Sequence, residues 1–131
     1  MSSSDIASAT TAGAGYVIDR RDGGVGGEAW AENFEGKDYG GAGISVILES
    51  TETVGSGPRL HQHPYPETFI IRRGRALFTI GDRELIGSAG QILIAPANTP
   101  HKFSVLGPER FESVNIHAND EFITEWLEPA K

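Results

Sequence analysis

His61-Gln62-His63 places two imidazoles two residues apart, and Glu67 follows four residues after the second. On an extended strand, residues i and i+2 point to the same side. His61 and His63 can therefore present both rings to one point in space. Downstream, Pro96-Ala97-Asn98-Thr99-Pro100-His101 carries a further histidine beside a proline-rich turn. Three of the chain's four histidines thus fall in two short, glycine-bracketed segments. Imidazole and carboxylate donors gathered in this way suit a divalent transition metal.

The elements that position these residues must be short and turn-rich. Seventeen glycines and seven prolines in 131 residues favour a β-rich fold over a helical one, and the length fits one domain with a single core. A formal net charge of −7 argues against nucleic acid or an anionic membrane as partner. The one dense basic run, Arg72-Arg73-Gly74-Arg75, reads as a solvated turn between strands. With no cysteine there are no disulfides, thiolate ligands or cysteine nucleophile, which agrees with a cytoplasmic location. No apolar run reaches the length of a membrane span, and Met1-Ser2-Ser3-Ser4-Asp5 does not open a secretory signal.

Along the chain, residues 1–37 read as an N-terminal tail and glycine-rich arm, and residues 38–131 as a single domain. Met1 to Gly15 is small and polar, Tyr16-Val17-Ile18 offers a short edge strand, and Gly23-Gly24-Val25-Gly26-Gly27 breaks regular structure. Ile44, Val46 and Leu48 alternate with Ser45, Ile47 and Glu49, the pattern of a half-buried strand. Thr68 to Ile71 and Ala76 to Ile80 read as further strands, with Gly81-Asp82 suited to a hairpin. Gln91 to Ala95, His101 to Leu106 and Phe111 to His117 complete the set, and Val114 and Ile116 look like core. Such spacing implies a sandwich or barrel. Phe122 with Trp126 and Ile123 with Leu127 repeat every four residues, which predicts a short helical segment at the C-terminus.

Two glycine-framed motifs emerge. The first runs Gly55, His61, His63, Glu67, Gly74; the second runs Gly90, Pro96, Asn98, His101. They closely resemble the two motifs of the cupin superfamily over about Gly40 to Ile116. The first matches at every defining position. The second departs twice, with Asn98 where glycine is expected after the proline and Val105 where asparagine is expected after the histidine. Asparagine tolerates the left-handed conformation better than most other residues. Val105 shares strand parity with His101 and Phe103 and makes that face more apolar.

The resemblance implies an all-β fold, a jelly-roll barrel or double-stranded β-helix, in members that are often dimers. It makes His61, His63, Glu67 and His101 ligands of one divalent ion: Fe, Mn, Ni, Co or Zn. Three imidazoles and one carboxylate leave two positions open on a six-coordinate metal. Dioxygenase chemistry on a small aromatic or diketone-like molecule follows as an expectation, with Glu67 as the base. Lewis-acid isomerase or lyase chemistry and a non-catalytic ligand-binding role remain as alternatives. Candidates for the surrounding pocket are Arg59, Phe69, Ile71, Phe103, Val105 and His117. Arg59 is read either as a contact for an anionic group or as a rim residue of a Gly-Pro turn. The phenylalanines, Phe78 among them, also read as core, and Tyr65 reads as a turn residue between two prolines.

Overall fold

The computed structural model describes residues 15–130. The tail expected over Met1 to Gly15 lies, apart from Gly15 itself, outside the described residues. Among the described residues the chain forms ten strands and two short 3-10 turns, with no α-helix. One sheet takes β1 (Glu32–Phe34), β2 (Ser45–Thr51), β9 (Phe111–His117), β4 (Glu67–Arg73) and β7 (Ile92–Ala95), in that order. The other takes β10 (Glu125–Trp126), β3 (His61–Gln62), β8 (His101–Val105), β5 (Arg75–Ile80) and β6 (Arg83–Ser88). All pairings are antiparallel. The expected all-β jelly-roll architecture is therefore the one observed. No helix among the described residues is long and apolar enough to cross a membrane.

The space between the sheets is divided into an apolar part and a polar part. Phe69, Phe78, Phe103 and Phe111 form the apolar part, with Phe69 and Phe78 edge to face at 5.1 Å and Phe78 and Phe103 at 5.2 Å. Ile71 and Val105 are buried with them. Such aromatic pairs add to the stabilisation that burial gives.

The polar part reverses an expectation. Val114 and Ile116 are half-buried on the outer face of their sheet, while Ser113, Asn115 and His117 point inward and are buried. The same reversal holds for β2. Ile47 and Glu49 line the interior, and Val46 lies in an outer cleft with Tyr16, Ile18 and Phe34. The physical reason is that, around β2, both faces of this sheet meet protein. Outside, chain from residues 16–34 lies against β2, and Trp30 packs under the Arg72 guanidinium at 4.6 Å. Apolar residues are thus sheltered there, while the inner face supplies polar groups to a site.

Two local expectations are corrected. Tyr16 to Ile18 forms no strand; the edge position beside β2 is held by β1, whose Phe34 pairs with Val46. The C-terminal segment is extended rather than helical, with Trp126 paired to His61 and Glu125 to Gln62. A four-residue spacing is a multiple of the strand period of two as well as close to one helical turn, so the pattern alone suits either. The β3 edge, which needs a backbone partner, decides it.

The loop into β3 depends on Gly57, whose φ is 150°. A Cβ built there collides with the backbone carbonyl of Phe103. Gly55, with φ 87°, has open space around that position. Gly57→Ala is expected to destabilise the fold by about 2–3 kcal/mol, against about 1 kcal/mol for Gly55→Ala. Denaturant unfolding checks this, and equal costs at the two positions would contradict the close-approach account.

A candidate metal centre between the sheets

Two rows of residues face one another at the polar end. In one sheet, cross-strand pairing runs Ser45, His117, Glu67, Ala95. In the other it runs Trp126, His61, His101, Ile80. Glu67 and His117 thus come from one wall, and His61 and His101 from the other. His63, just past β3, closes the gap. Its backbone carbonyl accepts a 2.7 Å hydrogen bond from the N–H of Asn98. Asn98 has φ 57°, the left-handed conformation that the family's glycine would supply. That bond ties the two sequence motifs together.

All four residues of the expected ligand set are buried, and their donor atoms lie within 4.8 Å of one another. Each imidazole of this set is oriented through Nδ1. His61 Nδ1 donates to the carbonyl of Arg59, His63 to that of Ile123 and His101 to that of Thr99, each at 2.8 Å. A carbonyl only accepts, so Nδ1 carries a proton, and a neutral ring held in this way has its lone pair on Nε2. Nε2 of His63 and Nε2 of His101 each lie 3.0 Å from Glu67 Oε1. At these distances a proton or a cation must lie between each ring nitrogen and the carboxylate oxygen. Two donors about 2.1 Å from a shared ion and at right angles to each other stand about 3.0 Å apart. The residues present therefore fit a divalent ion.

His117, the fourth histidine, is wired the other way. Tyr65 Oη accepts the N–H of Ile123 at 3.1 Å and lies 2.7 Å from His117 Nδ1. The tyrosine proton goes to Nδ1, which leaves the His117 proton on Nε2. That atom sits 3.2 Å from Glu67 Oε2. It has no partner aligned well enough for a hydrogen bond and is buried. His117 is thus a donor beside the carboxylate, where the other three rings offer lone pairs. Tyr65, read from sequence as a turn residue, is buried, stacks on His63 at 5.0 Å and sets this tautomer.

Electrostatics follow from the same contacts. Burial alone would raise the Glu67 carboxyl. The imidazoles of His101, His117 and His63 outweigh it and hold the group well below the usual carboxylate range. Burial likewise disfavours a charged ring at His61, whose pKa is lowered from 6.5 to about 4. The charge of Glu67 and the neutrality of His61 are the states that a metal requires.

A cavity of about 260 Å³ opens beside these residues. Phe69 and Phe103 line it, whereas Ile71 and Val105 lie behind it in the apolar core. Arg59 stands outside: its Nε donates to the carbonyl of Glu128 at 2.9 Å, and its guanidinium covers the Trp126 ring at 4.2 Å. It anchors the C-terminal segment, from which Phe122, Thr124 and Trp126 roof the cavity. These three, and Glu49 on β2, are lining residues that sequence reasoning missed. The i, i+2 spacing of Phe122, Thr124 and Trp126 was the available signal.

The family model described as "Cupin domain" matches residues 48–122. No curated protein matches the chain. A cupin superfamily protein from Desulfitobacterium hafniense is similar in structure, with a TM-score of 0.54 and 22% identity over 60% of this chain and 70% of that one. The oxalate decarboxylase of Lactobacillus farciminis, in complex with formate, gives a TM-score of 0.66 at 20% identity, covering 74% of this chain but 30% of that one. The oxalate decarboxylase of Bacillus subtilis, whose Mn(II) centres are the subject of one structure, gives 0.65 at 22% identity over 72% and 27%. At such identities these likenesses speak for the fold. Because the family model spans more than half of the chain and both of its histidine motifs, the chain belongs to the cupin family.

Proposed function

We propose that this protein is a metal-dependent enzyme. It holds one divalent ion (Fe, Mn, Ni, Co or Zn) through His61, His63, Glu67 and His101. Its reaction is a dioxygenase-type oxidation of a small aromatic or diketone-like molecule. The observation that carries the metal reading is the convergence of three buried imidazoles, each oriented through Nδ1, and one carboxylate, with ligand atoms within 4.8 Å of one another. The Mn(II) centres of the Bacillus subtilis oxalate decarboxylase, a protein of similar fold, support it. A redox-active ion supplies dioxygen chemistry at such a site, whereas zinc supplies Lewis acidity.

The chain's own residues shape the rest. Phe69, Phe103 and Trp126 give the cavity apolar walls that suit a planar organic molecule and limit water. Glu67 is ionised at neutral pH and so available as a base, with Oε2 beside the His117 donor and Oε1 toward the imidazoles. Its depressed pKa makes it a weak base. On the outer face, Ile70, Ile92 and Ile94 are exposed, which supports the expectation of a homodimer.

Metal analysis followed by turnover of a substrate panel, with and without oxygen, tests the reading. The expected result is one divalent ion per chain and turnover that stops without oxygen. Turnover unchanged under anaerobic conditions would contradict the dioxygenase assignment and favour isomerase or lyase chemistry. Ligand binding with no turnover would favour a binding role.

His61→Ala and His101→Ala are each expected to weaken ion binding by at least about a hundredfold. Undiminished ion content in either variant would sink the ligand assignment.

The metal-free protein should also show a pH signature. The folded pKa of His61, about 4, lies below its ordinary 6.5. As pH falls through that window, the unfolded chain takes up a proton that the folded chain refuses, so stability drops with acidification and the contribution levels off below about 4. Glu67 has the depressed-carboxylate sign: its contribution is present above its ordinary 4.5 and is lost only at lower pH. Thermal unfolding of the metal-free protein should therefore weaken between pH 6.5 and 4, and His61→Gln should flatten that slope. An unchanged slope in the variant would contradict the burial argument.

A further inference from the structure

The cavity beside the metal centre has a second polar end. Ser45 of β2 pairs with His117 in the metal row, and Glu49 lies four residues further along the same face. At about 3.3 Å of rise per residue, that is roughly 13 Å along the strand. Glu49 nevertheless lines the same cavity as His61 and Glu67, so a second carboxylate faces that space. Among the described residues Glu49 has no hydrogen bond or ion pair. No lysine or arginine among the described residues lines the cavity, and Arg59 is committed outside it.

Between the ends stand donors that the protein does not use. Nε2 of His117 is buried and makes no aligned hydrogen bond, although Glu67 Oε2 lies 3.2 Å away. Asn115, also buried, accepts a 2.7 Å hydrogen bond from Ser113 through Oδ1, and its amide N–H groups have no protein partner among the described residues. Two carboxylates and one divalent ion give the cavity a formal charge of zero. Away from the ion, a second anionic group such as a carboxylate or phosphate would find no cationic side chain and would face Glu49.

We infer that the cavity selects a neutral or cationic small molecule. Oxygen atoms of the ligand lie at the metal end, near the His117 donor, and a hydrogen-bond donor or ammonium group reaches Glu49. The inference rests on the metal reading above and names the substrate class for that site. It sets this chain apart from the oxalate decarboxylases of similar fold, whose name-giving substrate is a dianion. Burial, followed by the repulsion of Glu67, raises the Glu49 carboxyl, and a donor or cation at that end would relieve both.

Three matched probes test it by calorimetry on zinc-loaded protein without oxygen: catechol, the anionic 3,4-dihydroxybenzoate, and dopamine, a catechol with an ammonium-bearing arm. Ion content is measured first for wild type and Glu49→Gln. Dopamine is expected to bind at least about tenfold more tightly than 3,4-dihydroxybenzoate, with catechol between them. In Glu49→Gln the gap should close to within about threefold. Equal affinities in wild type, an unchanged preference in the variant, or no binding by ion-loaded protein would each overturn the inference while leaving the metal reading standing. Failure to take up an ion would overturn the metal reading, and this inference with it.

Discussion

Three hydrogen bonds between imidazole and backbone set the character of the whole site. The carbonyls of Arg59, Ile123 and Thr99 each hold one Nδ1–H, so three Nε2 lone pairs converge beside an ionised Glu67. Buried lone pairs that face one another are unfavourable unless a proton or a cation lies among them. Burial already opposes protonation at His61. The arrangement is therefore pre-organised for an ion, and the backbone that supplies the three carbonyls comes from three separate stretches of chain. Fold and site are specified together, because those carbonyls are in place only when both motif turns and the C-terminal segment have docked.

The sandwich meets this demand by dividing its interior. Four phenylalanines fill one part with apolar packing. The other part carries Glu67 and His117 from one sheet, opposed to His61 and His101 from the other. This division explains why β2 and β9 turn Ser45, Ser113, Asn115 and His117 inward, and Val46, Val114 and Ile116 outward. The outer residues are sheltered in part by the arm, through the cleft that holds Tyr16, Ile18 and Phe34. The C-terminal segment joins the two functions, since Ile123 orients His63 and Tyr65 while Phe122, Thr124 and Trp126 roof the cavity.

Much of this was legible in the sequence. Strand parity pointed His61 and His63 the same way, because parity is a local property, and the motif resemblance added Glu67, His101 and the left-handed place of Asn98. The polarity of β2 and β9 could not be read. Alternation shows that a strand has two faces, and which face is interior depends on what covers the other. Glu49 was missed for that reason. The C-terminal segment was misread because a period of four fits helix and strand alike, and only the unpaired edge of β3 distinguishes them. The position of Arg59 likewise depends on Trp126 and Glu128, which are distant in sequence.

The most direct measurement is the protonation pattern of the four histidines, read by long-range ¹H–¹⁵N correlation NMR on zinc-loaded protein. The account requires Nδ1–H on His61, His63 and His101, with their Nε2 atoms shifted by the ion, and Nε2–H on His117. A proton on Nε2 of any of the first three, or ion-induced shifts at His117 in their place, would contradict it.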